Sequence, residues 1–147
     1  MSEVIEMDFD VLREPWNMYQ LEEGPILKIK YVLTRVIKRR EDGERFGYAF
    51  KGQNVVAFSH IPPELKGEPS RAIYSPMELQ ASIVTEDIRY TTIAEEWNEY
   101  LAEDGTKIRV KLTVVKVSRT SKKDMEGEPI YLVQTSLLPQ IQPPRKK

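Results

Sequence analysis

Two stretches of the chain alternate between apolar and charged side chains, one residue after the next. In residues 26–33 the apolar positions are Leu27, Ile29, Tyr31 and Leu33. In residues 107–114 they are Ile108, Val110, Leu112 and Val114. Lysine or arginine occupies most of the positions between them. A period of two with β-branched residues predicts a strand that is buried on one face.

Both predicted strands carry the same signals at their ends. Val36 and Val117 fall on the opposite parity from the apolar residues before them, which predicts a β-bulge or a change of pairing partner. An acidic residue followed by Gly24 or Gly105 precedes each strand. Because glycine tolerates the positive φ of tight turns, we predict a hairpin turn at each glycine.

The two strands belong to a longer internal repeat. Residues 14–38 align without a gap on residues 95–119, and eight of these 25 positions are identical. Average composition would give about one or two identities by chance. The shared signature is a Trp-Asn-x-Tyr segment followed by a glycine, formed by Trp16, Asn17, Tyr19 and Gly24 and again by Trp97, Asn98, Tyr100 and Gly105. We interpret the chain as a single domain, residues 1–147, with similar halves 8–63 and 89–144 and a connector 64–88.

The Trp-Asn-x-Tyr segments allow two structures and two roles. The second copy could be a helix capped at Thr92, but Pro15 restricts that reading in the first copy, so a strand suits both. Functionally, the aromatic and amide side chains could form a stacking platform for a base or a sugar. The interpretation that we favour is structural, with the aromatics packed between two sheets and the asparagine capping a turn.

The rest of the pattern predicts an all-β fold. Further strands are predicted at residues 45–50, 54–61, 129–134 and 136–141, with turns at residues 40–44 and 123–128. Each half then holds about four strands in a meander, and the halves should pack as a pseudo-two-fold β-sandwich or barrel. In the connector, Ser75, Pro76 and Glu78 match the start of a short capped helix.

Composition limits the classes of function. Apolar residues make up 40% of the 147 positions, charged residues 31%, and the formal net charge is −1. A balance this close gives no general attraction to nucleic acid or to an anionic membrane. No secretory signal or membrane span is visible, so a soluble cytoplasmic protein is expected.

The sequence offers little for catalysis. There is no cysteine, and His60, in a predicted loop, is the only histidine. No phosphate-binding loop, nucleophile motif or zinc motif appears. We therefore predict no catalytic residue, metal or cofactor, and favour a non-enzymatic protein.

Basic residues cluster at matching points of the two halves and form the candidate nucleic-acid site. These residues are Arg35, Lys38, Arg39, Arg40, Lys116, Arg119, Lys122 and Lys123. Two such clusters could clamp phosphates. They could equally be solvated turn charges that discourage sheet edges from pairing.

Three hypotheses of function follow. The first is a β module that acts through protein–protein contact, as a homo-oligomer or with another protein. The second is nucleic-acid binding through the two basic clusters. The third is a small-ligand carrier or enzyme with a cavity between the halves.

Overall fold

The fold is known from a computed structural model that describes residues 4–40 and 46–144. Within these residues the strands are β1 (Val4–Met7), β2 (Phe9–Arg13), β3 (Asn17–Leu21), β4 (Ile26–Arg40), β5 (Phe46–Ser59), β6 (Ile83–Thr85), β7 (Tyr90–Ala94), β8 (Trp97–Ala102), β9 (Lys107–Lys123) and β10 (Pro129–Gln142). The connector contains a 3₁₀ turn at Pro63–Leu65 and one helix, α1 (Pro76–Ala81). The all-β prediction is confirmed.

The strands form two antiparallel five-stranded sheets. In sheet A the order is β1-β4-β3-β7, with β5 on the other side of β4. In sheet B the order is β10-β9-β8-β2, with β6 also paired to β9. Long strands β4 and β9 are the centre of each sheet, because a long partner runs along one side of each and shorter strands share the other. Both sheets are open, so of the two predicted architectures the layered one applies.

The chain crosses between the sheets in a way that a simple meander does not include. β2 precedes β3 in sequence but pairs with β8 in sheet B. β7 precedes β8 but pairs with β3 in sheet A. Each sheet therefore receives a strand from the part of the chain that builds the other. This reciprocal placement of β2 and β7 is called the strand exchange below.

The predicted strand boundaries were wrong around the long hairpins. Predicted strands 45–50 and 54–61 are one continuous strand, β5, and strands 129–134 and 136–141 are one strand, β10. Each pair of predicted strands is joined into one because a full-length partner, β4 or β9, continues alongside. The predicted bulge is confirmed, with register shifts between Leu33 and Arg35 in β4 and opposite Gln134–Thr135 in sheet B.

The predicted turns and helix are confirmed where the structure describes them. Gly24 and Gly105 have φ of 119° and 90°, as their turns require. Residues 124–128 form a turn, whereas most of the predicted turn at 40–44 lies outside the described residues. Helix α1 begins with a complete capping box between Ser75 and Glu78. Among the described residues, no helix is long and apolar enough to cross a membrane.

One core fills the space between the sheets. The apolar faces of β4 and β9 are buried, and Tyr19, Leu21 and Tyr100 join them from the shorter strands. Gly52 of β5 leaves room for the ring of Tyr31, whose Cζ would lie 2.1 Å from a β-carbon at that position. The core is therefore built from both sheets, and the outer sheet faces and open edges remain for other contacts.

Candidate functional site

The Trp-Asn-x-Tyr segments are strands, as we favoured, from Asn17 in the first copy and from Trp97 in the second, but they divide between core and surface. Asn17 and Tyr19 point inward and are 2% and 0% exposed, whereas Trp16 is 37% exposed on the outer face of sheet A. Trp97 is likewise only partly buried, beside the buried Asn98. Strand alternation causes this division, because a tryptophan one position before an inward asparagine must face outward. The interpretation of packing between the sheets thus holds for the tyrosines and fails for the tryptophans.

The two buried asparagines join the sheets instead of capping turns. Asn17 Nδ2 donates to the carbonyl oxygen of Leu112 in sheet B at 2.8 Å. Asn98 Nδ2 donates to the carbonyl oxygen of Tyr31 in sheet A, also at 2.8 Å. Both carbonyls lie in the buried parts of long strands. Without the asparagine amide, each would be a buried acceptor with no hydrogen-bond donor, which is energetically costly. These two bonds fix the alignment of the sheets.

Tyrosine–glutamate pairs hold the two crossing segments. Tyr19 donates its hydroxyl to Glu95 at 2.7 Å, and Tyr100 donates to Glu14 at 2.8 Å. Glu14 and Glu95 lie where the chain leaves one sheet for the other. Burial, together with the hydrogen bond to the carboxylate, raises the pKa of both tyrosines well above the ordinary value. Both hydroxyls therefore remain protonated donors at neutral pH.

The turns after β3 and β8 each reach the opposite sheet through an acidic residue. Asp104 pairs with Lys38 at 2.9 Å and accepts from Tyr48 at 3.2 Å. Burial alone would raise the pKa of Asp104, but hydrogen bonds from Thr106 and Lys38 outweigh it and lower the pKa to about 2.

A matching cluster surrounds Glu23 at the other turn. Glu23 pairs with Arg119 at 3.0 Å and accepts from Tyr131 at 2.7 Å. Burial and the bond to Glu23 raise the pKa of Tyr131 above its ordinary value. Two of the predicted nucleic-acid-binding cations, Lys38 and Arg119, are thus held between the sheets.

The remaining predicted cations are spread over several surfaces. Arg35 pairs with Glu6 at 2.9 Å and Lys116 with Glu86 at 3.0 Å. Lys122 and Lys123 lie against the connector. Lys122 Nζ is 5.3 Å from the ring centroid of Tyr74, and Lys123 packs beside Gly67. Arg39 and Arg40 are exposed at the end of β4. The structure therefore does not gather the eight residues into one basic site, and their role in nucleic-acid binding stays a prediction.

The long edge strands β5 and β10 lie next to each other along one open side of the molecule. Asn54 donates to Thr135 Oγ1 at 3.2 Å, and the rings of Phe58 and Tyr131 stack with centroids 4.6 Å apart. Beside them Val55, Val56 and Leu138 are 41%, 44% and 54% exposed. This side, called the β5/β10 side below, combines two long strand edges with exposed apolar side chains.

Open grooves lie beside the turns at Gly24 and Gly105. One groove of about 500 Å³ lies beside Gly105 and Pro144, and a second of about 480 Å³ lies beside Gly24 and Arg89. Within the described ranges, no group of three or more histidine, cysteine or acidic side chains could hold a metal ion. His60 is exposed and contacts the Ser59 hydroxyl at 3.0 Å.

Scans against protein-family models, curated proteins and solved structures each gave no match. What the protein does is therefore inferred from its own residues. Three surfaces are candidates for binding a partner or ligand: the β5/β10 side and the two outer sheet faces with their tryptophans.

Removing either buried amide should destabilise the protein. Asn17→Ala or Asn98→Ala leaves a buried carbonyl without its donor, so each should lower the free energy of unfolding by about 1–3 kcal/mol. Asn54→Ala removes an amide of the same size from an exposed site and should change it by less than about 0.5 kcal/mol. Urea denaturation measures all three. If Asn17→Ala and Asn54→Ala lower the free energy of unfolding equally, the inter-sheet hydrogen bond does not contribute to stability.

Asp104 should stabilise the folded protein at neutral pH and lose this effect in acid. Its pKa is depressed from 3.8 to about 2 in the folded state, so its stabilisation is complete above about pH 4 and is lost as the pH falls through about 2. The contribution is about 2 kcal/mol at neutral pH. Asp104→Asn should remove it, so that the gap to the wild type is widest at neutral pH and closes near pH 2. Urea melts across this range measure the gap, with Asp10→Asn as an exposed control, and a pH-independent gap would contradict the assignment.

Proposed function

We propose that the protein is a non-enzymatic contact module whose immediate partner is a second copy of itself, paired along β5. The observation that carries this proposal is an unprotected edge. β5 pairs with β4 on one side, and from Gly52 to Ser59 it carries neither a charged residue nor a proline. Edge strands of this length usually carry such residues, because bare main-chain groups invite another strand.

A second copy is the occupant that best fits this edge. Two copies of one strand can pair antiparallel around a two-fold axis, and each then supplies the same groups to the other. An uncharged strand does so without placing like charges opposite each other. Val55 and Val56, exposed in the single chain, would each gain an apolar neighbour.

The neighbouring edge strand is protected differently. β10 is also uncharged from Thr135 to Gln142, but Pro139 lies in the middle of that stretch. Proline has no N–H and interrupts any ladder that a further strand would form. The contrast favours β5 over β10 as the edge that pairs.

We also propose that residues 8–63 and 89–144 are two copies of one ancestral unit. Supporting this, β2 and β7 start eighty-one positions apart, as do Trp16 and Trp97. The two inter-sheet amide bonds, the two tyrosine–glutamate pairs and the two turn clusters occupy matching places in the strand order. Edge-on ring contacts match too, with Phe9 on Tyr100 and Tyr90 on Tyr19.

On this interpretation the strand exchange has a simple origin. Two separate copies that swapped their first strands would form a symmetric dimer, and joining them through residues 64–88 would give one chain. Domain swapping is a low-cost route to such dimers. A unit that arose by self-association is consistent with a module that still works by contact.

The dimer proposal predicts a mass twice that of the chain. Light scattering coupled to gel filtration should show this dimer, with a monomer appearing only on dilution. Val55→Lys places a charge on the pairing edge and should yield a folded monomer, with the fold checked by circular dichroism. Leu138→Lys makes the same change on β10 and should leave the dimer intact. A wild-type protein that stays monomeric at the highest soluble concentration, or a dimer lost equally in both variants, would overturn the proposal.

A further inference from the structure

The two outer sheet faces differ in charge. The outer face of sheet A carries the cations Lys28, Lys30, Arg35, Arg39 and Lys51. Lys30 lies 3.9 Å from Glu14, and Arg35 pairs with Glu6. Within residues 4–40 and 46–144, the other three make no ion pair. Three positive charges on this face are therefore not neutralised by a described neighbour.

The equivalent face of sheet B is largely neutralised. Its cations on β9 are Lys107, Arg109, Lys111 and Lys116. The last three have carboxylate partners, which are Glu99 at 3.4 Å, Glu95 at 3.8 Å and Glu86 at 3.0 Å. One position shows how the faces diverge: Glu99 pairs with Arg109 in sheet B, whereas Met18 occupies the equivalent place beside Lys28 in sheet A.

The cations of sheet A surround an exposed aromatic ring. Lys30 Nζ and Lys28 Nζ lie 5.2 and 5.7 Å from the ring centroid of Trp16. Further along the same face, Lys51 is in register with Arg35, and Arg39 follows toward the end of β4. The face thus runs from an indole ring with two flanking ammonium groups to a second group of cations on β4 and β5.

We propose that this outer face of sheet A, defined by Trp16, Lys28, Lys30, Arg35, Arg39 and Lys51, binds single-stranded nucleic acid. A base stacks on the indole of Trp16, and the phosphates that follow lie against Lys28, Arg39 and Lys51. Open β-sheets that carry an aromatic among cations suit this ligand, because any base offers a ring face and the backbone offers the charge.

The same features disfavour other polyanions. A duplex keeps its bases stacked on one another, so Trp16 would have nothing to contact, and a sheet face offers no helix or ribbon to enter a groove. An acidic peptide would use the cations but would not need the ring. The combination of ring and charge therefore selects an unpaired nucleotide chain.

The test uses the full chain and a fluorescein-labelled twelve-nucleotide oligothymidine or oligouridine, followed by anisotropy at several salt concentrations. Binding should weaken with salt, and the slope of log K against log salt should reach about −2 for three phosphate contacts. Trp16→Ala should weaken binding about tenfold, and Trp16→Phe should keep most of it. Lys28→Gln with Lys51→Gln should reduce the slope to about −0.7.

The other sheet supplies the matched controls. Trp97→Ala and Lys107→Gln change the same residue types on the outer face of sheet B and should alter affinity by less than about twofold. Lys122→Gln with Lys123→Gln should also leave binding unchanged, since both side chains lie against the connector. Each variant is checked by circular dichroism.

Four results would overturn the proposal. They are no binding at low salt, equal binding of a duplex of the same length, full competition by polyglutamate at equal charge, and equal losses from Trp16→Ala and Trp97→Ala. Loss of binding in the Lys122/Lys123 variant alone would instead place the site beside the turn formed by residues 124–128.

Discussion

Two amide hydrogen bonds hold this molecule in register. Asn17 and Asn98 each donate to a buried carbonyl of the opposite sheet, and the tyrosine–glutamate pairs clamp the crossing segments beside them. Apolar packing would bring two such sheets together but would tolerate sliding. Buried polar groups do not, since any shift leaves a donor or an acceptor without a partner. The strand exchange and the placement of every surface described above depend on this alignment.

The sequence predicted the parts of the fold that local chemistry decides. Alternation found β4 and β9, the glycines located their turns, the change of phase found the bulge, and the capping box found α1. It missed the strand exchange, because which sheet receives β2 or β7 depends on contacts far apart in the chain. It also split β5 and β10 into two short strands each, because their continuity comes from pairing with the long strands β4 and β9.

The candidate site was less predictable than the fold. A cluster of cations in sequence does not show which charges are already used, and Lys38 and Arg119 proved to be inter-sheet partners of Asp104 and Glu23. The signal for the outer face of sheet A was present in the alternation, which placed Lys28 and Lys30 on the solvent side. That fewer cations of this face have carboxylate partners became clear only by comparison with sheet B, where acidic residues pair with the equivalent cations.

The two sheets are joined by matching contacts but present different surfaces. The residues that align the sheets occur in equivalent pairs, whereas the outer faces and the two long edges differ in charge and in proline content. On the duplication proposed above, the contacts between the sheets would be kept in both copies, while the surfaces of the copies could diverge. The edge proposed for self-association and the face proposed to bind nucleic acid are both surfaces of this kind.

Native-state hydrogen exchange tests the central claim, that the strand exchange locks both sheets into one unit. The amides of β2 that bond to β8, and those of β7 that bond to β3, should exchange only through global unfolding. Their exchange free energies should then fall with denaturant along the same line as the amides of β4 and β9. If the amides of β2 or β7 instead exchange their hydrogens through local openings that do not depend on denaturant, these two strands can detach while the rest stays folded. That result would contradict the account.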